Sequence, residues 1–253
     1  MPHLWYQNNN VPDFGTLLAH PFDLASPFRS TAMLLAYWRH YEQRLPHFCR
    51  TLGFNLAPTA NEHLRFEHQF SPPAGQGRAS CTDLLIEVPG LAMAVEAKRT
   101  EPEYESVREW LREPPEPNRQ AVLNGWLRTI NNATAANLNM ECVMNVTYQL
   151  IHRTASACSR NAQSYAVAYH CFNPTPPMLA EYQQQIATLA TLLNNPARIT
   201  FVLCNSSATL TPDYVQLQND WNQQPHPDLN AAVRAVILND GVAAFNDQIA
   251  FRF

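Results

Sequence analysis

Lysine is almost missing from this chain: Lys98 stands alone against sixteen arginines in 253 residues. Basic residues number 17 against 21 acidic ones, so the net charge is -4 and no overall positive field draws the chain to a polyanion. Any nucleic-acid contact must be local. Glycine is scarce too, at 7 residues, and no GxGxxG, GxxxxGK or GxSxG run occurs. That removes the loops on which dinucleotide, ATP-driven and serine-hydrolase readings depend. The six cysteines form no CxxC pair and the histidines no HxxxH or HxH spacing, which argues against zinc and reads as buried free thiols. No run approaches the ~18 apolar residues of a membrane span. The opening MPHLWYQNNNVPDFG has no charged start followed by an apolar stretch. A cytoplasmic protein with no membrane partner is expected.

What is present is the composition of a folded domain, 46% hydrophobic and 15% charged, long enough to bury its own core. The spacing of apolar residues predicts helices over 30–45, 118–133, 144–159, 176–193 and 226–240, with strands over 63–70, 164–172 and 199–205. Proline-rich patches near Pro72, Pro114 and Pro176 read as loops. Residues 81–98, CTDLLIEVPGLAMAVEAK, read as two strands joined by Pro89-Gly90. The expected fold is α/β: one domain over 1–253, a mixed central sheet flanked by helices, with an N-terminal helical extension.

The hairpin holds the lysine. A two-residue connection pairs Val88 with Leu91 and, further along, Asp83 with Glu96, so two carboxylates are expected opposite each other on one face. Glu96 and Lys98, two apart, project together. Like charges in that position are destabilising unless a cation or proton lies between them. Glutamate is 13 of the 253 residues, so chance places one two positions before the single lysine about 5% of the time. Arginine serves elsewhere, so an ammonium here points to chemistry that a guanidinium cannot perform.

Asp83, twelve intervening residues, then Glu96-Ala97-Lys98 at the end of an apolar strand resembles the PD-(D/E)xK nuclease superfamily, the restriction-endonuclease-like fold. Thr82 replaces the usual proline before the aspartate. The run TDLLIE…AVEAKRTE with the later YQLIHRTASA is similar to a bacterial and phage branch of restriction-like nucleases. The resemblance implies catalytic roles for Asp83, Glu96 and Lys98. It also implies Mg²⁺ or Mn²⁺ held by Asp83, Glu96 and the Ala97 carbonyl, with Lys98 positioning or deprotonating water. Phosphodiester hydrolysis needs such a hard cation, and two carboxylates suit one.

Further candidates are Glu67 as a third metal carboxylate, Gln149 (with its neighbour Tyr148) near the site, and Glu42. Arg99, Arg108, Arg112, Arg119 and Arg128 alternate with Glu101, Glu103, Glu105, Glu109, Glu113 and Glu116, which reads as a salt-bridged solvent face. The expected function is metal-dependent hydrolysis of nucleic acid, DNA before RNA, in restriction, phage defence or antibacterial attack. The net negative charge suggests that a protein partner or second subunit brings the substrate. The alternative is a non-catalytic module of the same fold, serving as a scaffold or binding subunit.

Overall fold

The structure is a computed structural model that describes every residue except 25, 56–60, 102–103, 195–196 and 224–227. Among the described residues, the order is β1 (His3–Tyr6), β2 (Asn9–Val11), α1 (Phe14–Leu18), α2 (Ser30–Tyr37), α3 (Tyr41–Thr51), β3 (His63–Phe70), β4 (Ser80–Val88) and β5 (Leu91–Lys98). Then follow α4 (Val107–Leu111), α5 (Pro117–Thr134), α6 (Tyr148–Cys158), β6 (Ser164–Phe172), α7 (Pro176–Leu193), β7 (Ile199–Leu210), α8 (Pro212–Gln223), α9 (Leu229–Leu238) and β8 (Ala243–Arg252).

One eight-stranded sheet runs β2-β1-β3-β4-β5-β6-β7-β8. The β3-β4-β5 meander is antiparallel, and β5-β6-β7 are parallel neighbours linked by helical crossovers. Both sheet faces are covered, so the middle strands β5 and β6 are buried nearly throughout. Met93, Val95 and Ala97 pack with Leu17, Leu35, Phe48, Tyr214 and Ile237 on one face, while Ala92, Val167 and Tyr169 pack with Val107, Trp126, Ile151 and Ile186 on the other. This is the expected α/β sandwich with a mixed sheet.

Several local expectations need correction. The N-terminal segment is not simply helical: His3–Tyr6 lies parallel to β3 and extends the sheet. The helix expected over 30–45 is two helices. Nearly every side of α2 is buried, but polar residues begin at Arg39, where Arg39 and His40 pair with Asp240, so the chain turns before continuing as amphipathic α3. Pro176-Pro177 open α7 rather than sit in a loop, behind Thr175 as the capping residue. Strand β8 and helix α8 were not anticipated, and Glu103 and the start of the 226–240 helix fall outside the described residues. All six cysteines are free as expected, but Cys142 is exposed and Cys81 only partly buried.

Candidate active site

The hairpin forms in the expected register. Val88 pairs with Leu91 and Leu84 with Val95, around a turn in which Gly90 takes a φ of +82°, the left-handed position that a proline-glycine turn of type II requires. The ladder then stops one pair short of Asp83 and Glu96. Where the next hydrogen-bonded pair, Thr82 with Ala97, would stand, the Ala97 amide donates instead to Asp83 Oδ2 at 2.8 Å. Strand β4 has come away from β5, and the Asp83 carboxylate has entered the gap.

The alternation of side chains breaks at the same place. Ser80 bonds to His152 and Arg153, and Thr82 to Ser156, yet Leu85 packs on Ala157 and Glu87 pairs with Arg160. Even and odd positions thus face one helix and its C-terminal turn, so the period of two is lost between Thr82 and Leu85. In the neighbouring strand Glu67, opposite Asp83 in the register, takes a φ of +49°, rare for a residue with a side chain. The expected picture of Asp83 and Glu96 side by side on one face is therefore corrected: the register holds, but Asp83 turns into the strand gap. An N–H and C=O of one extended residue point to the same side, so the Ala97 carbonyl is aimed toward Asp83.

Glu96 and Lys98 project toward α6, which packs directly across β4, β5 and β6. Small residues permit this close approach: Ala94 meets Ala157 beside Leu85. Gln149 and Arg153, four apart on α6, then reach the strand. Lys98 Nζ donates to Glu96 Oε1 at 2.9 Å and to Gln149 Oε1 at 2.7 Å, and Gln149 Nε2 donates to the same Glu96 oxygen at 2.9 Å. Arg153 Nε donates to Glu96 Oε2 and Arg153 Nη1 to Ser80 Oγ at 3.0 Å. Lys98 is 1% exposed and Glu96 3%.

The electrostatics follow from this packing. Burial alone would raise the Glu96 carboxyl, but Arg153 and Lys98 outweigh it and hold the group below the usual carboxylate range. Burial and then the charge of Glu96 push Asp83 well above that range, with Glu67 adding to the rise. Burial pulls the Lys98 ammonium down, but Glu96 and Tyr104 more than compensate and leave it above the ordinary lysine value. Glu67 accepts from Cys81 Sγ at 2.9 Å, and burial raises its carboxyl. Among the described residues, no group of three His, Cys, Asp or Glu converges to hold a metal. The donors fit a single hard cation taking Asp83 and the Ala97 carbonyl with Glu96 close by, since Mg²⁺ keeps several waters and asks for few carboxylates. They do not fit a three-carboxylate site including Glu67.

Arg153, Ser80, His152 and Tyr104 were missed by sequence reasoning. The spacing of Gln149 and Arg153 on one helix face was the available signal. Of the other candidates, Tyr148 accepts a hydrogen bond from Trp126 Nε1 at 3.1 Å, and Glu42 is exposed on amphipathic α3 and does not line the cleft beside the cluster. The Arg/Glu stretch is solvent-facing in part, with Arg112 and Arg119 both on Glu116, but Glu101 instead accepts from Ser30 N at the start of α2, and Glu109 forms a capping box with Ser106.

A cleft of about 540 Å³ opens beside the cluster, bounded by the 76–81 segment, α5 and the first turns of α6. Its wall segment is held in place because Asn118 bonds both the amide and the carbonyl of Gln76, while Gly125 on α5 lets Ala74 approach to within 2.9 Å of where a Cβ would stand. No described helix is long and apolar enough to cross a membrane. No curated protein and no solved structure matches the chain. A family model described as Domain of unknown function (DUF6946) matches residues 7–219, most of the chain, and the protein belongs to that family.

Proposed function

We propose that this protein is a metal-dependent phosphodiesterase acting on nucleic acid, DNA in preference to RNA, in the cytoplasm. The observation that carries the reading is the opened ladder at Asp83 and Ala97, beside a buried Glu96-Lys98-Gln149 cluster whose Gln149 lines a cleft. The strands part beside the single lysine of the chain, which leaves room there for a ligand. Asp83 and the Ala97 carbonyl, with Glu96 near, would hold Mg²⁺ or Mn²⁺, which supplies a more acidic water and neutralises phosphoryl oxygens. Lys98, kept charged and aimed by Glu96 and Gln149, would position that water and stabilise charge developing on the phosphate. Arg153 keeps Glu96 ionised and fixed in place. The net charge of -4 supports delivery of substrate by a partner or second subunit.

One observation favours the non-catalytic scaffold reading: both oxygens of Glu96 already accept from protein donors. Calorimetric titration of the purified chain with Mn²⁺ and Mg²⁺ separates the two. A single saturable site that disappears in Asp83→Asn supports the phosphodiesterase. Absence of binding up to millimolar metal supports the scaffold.

A further inference from the structure

The candidate site lies deep. Lys98 is 1% exposed and is covered by the ring of Tyr104, whose centroid lies 4.2 Å from Nζ. Tyr104 is itself 43% exposed, with the cleft beside it. Just after it, the segment 105–108 is bonded to 144–148 through Glu105 O with Tyr148 N, Val107 N with Val146 O and Arg108 N with Met144 O. Lys98 lies behind Tyr104 and Gln149, which line the cleft, and at about 540 Å³ that cleft suits a small ligand or one or two nucleotides, not the width of a duplex.

The lining fits the same conclusion. Trp110 and Tyr148 stack with ring centroids 3.7 Å apart and planes 10° from parallel, presenting an aromatic wall. Arg78, exposed at the rim, has no ion pair or hydrogen bond to another described residue. His152 adds an uncharged donor. Its Nδ1 faces Ser80 Oγ at 2.7 Å, and that hydroxyl receives the Arg153 Nη1 proton at 3.0 Å. Ser80 can donate to Nδ1 while its oxygen accepts from Arg153, an arrangement in which the ring proton sits on Nε2. Aromatic faces, a free cation and a neutral donor form the surface that holds an unpaired strand: bases stack regardless of sequence while the backbone follows positive charge.

We infer that the cleft admits single-stranded nucleic acid, with Tyr104 as a stacking platform directly above Lys98 and Arg78 as the entry contact for phosphate. The inference rests on the phosphodiesterase reading for its location, but binding tests it without turnover. The experiment measures fluorescence anisotropy of a labelled single-stranded DNA oligonucleotide, and of the same sequence as a blunt duplex, with the full chain in Ca²⁺ and again in EDTA. The expected result is single-strand binding at least about tenfold tighter than duplex binding. Tyr104→Ala should weaken the single strand at least about fivefold, the lower end for one stacked base, and Tyr104→Phe should restore it. Arg78→Ala, on an exposed loop, should weaken it with a smaller salt dependence. Equal or tighter duplex binding, no binding of either form, or Tyr104→Ala without effect would overturn the inference. If duplex is nevertheless cleaved with Mg²⁺, the phosphodiesterase reading stands alone. If the single strand binds but is never cut, the inference stands and that reading falls.

Discussion

Two carboxylates are buried on opposite faces of the sheet, and they are satisfied in different ways. Asp247 on β8 accepts from the Tyr37 hydroxyl and from Ser206, which in turn meets His170 Nε2 at 2.6 Å, with His47 at 3.4 Å. Its partners are mainly hydroxyls, and the β7-β8 ladder is continuous at its level, pairing Ser206 with Asp247, its register shifting only further along between Leu203 and Cys204. Glu96 is held by two cations and an amide, and the ladder next to it is open. A buried acid by itself therefore says little about function. The Asp247 network holds five elements together, α2, α3, β6, β7 and β8, whereas the Glu96 network keeps charge concentrated next to a gap in the backbone.

The largest effect separating the two should follow from Glu96→Ala. It leaves Lys98 and Arg153 buried without their counter-charge, a loss of about 3–5 kcal/mol in urea unfolding. Lys98→Arg comes next: overpacking should cost about 1–3 kcal/mol of stability, and metal-dependent cleavage should fall at least ~10²-fold, because the planar fork cannot occupy the ammonium's place between Glu96 and Gln149. Retention of near-parental cleavage would show that the solitary lysine is incidental. Asp247→Asn should cost about 1–3 kcal/mol through weakened hydrogen bonds while leaving cleavage per folded molecule unchanged, and a drop in turnover would erase the distinction between the regions.

A further effect concerns pH. Burial holds both His170 and His68 down to about 4, so each is neutral when folded and binds a proton more readily when unfolded. Their contribution to stability is complete above about 6.5 and falls as pH drops from there toward 4, by up to about 1.4 kcal/mol per pH unit for each group. Glu96, depressed instead, loses its contribution only below the ordinary glutamate range near 4.5. Urea midpoints at pH 7 and pH 5 should therefore differ, and His170→Gln should reduce that difference. An unchanged difference in this variant would mean that the buried ring is not what titrates.

The hairpin was legible because its signals are local: β-forming runs around Pro89-Gly90 set the register, and the register put Asp83 at the level of Glu96. The helices with clear periods, α5, α6 and α7, were likewise found. Strand β8 was not, since AAFNDQIAFR alternates weakly and is stabilised by pairing with β7 rather than by its own pattern. The turn of Asp83 into the ladder was invisible for another reason. It depends on Glu67 in the next strand and on Ser80 and Thr82 being drawn to α6, contacts that span 74 positions in sequence. Arg153 escaped notice because its one local signal, the four-residue spacing from Gln149 on a helix face, gains meaning only once the partner Glu96 is known.

Cleavage is the most direct test of the metal-dependent phosphodiesterase. Purified protein should be incubated with a labelled single-stranded and a duplex DNA substrate in Mg²⁺, Mn²⁺ or EDTA, with Asp83→Asn in parallel. Asn can still accept the Ala97 amide, so this variant should fold as stably as the parent or more so, relieved of the charge beside Glu96. The predicted result is cleavage with Mg²⁺ or Mn²⁺ that stops in EDTA and falls at least ~10²-fold in the folded variant. Cleavage undiminished in EDTA, or no cleavage by the parent with either metal, would contradict it.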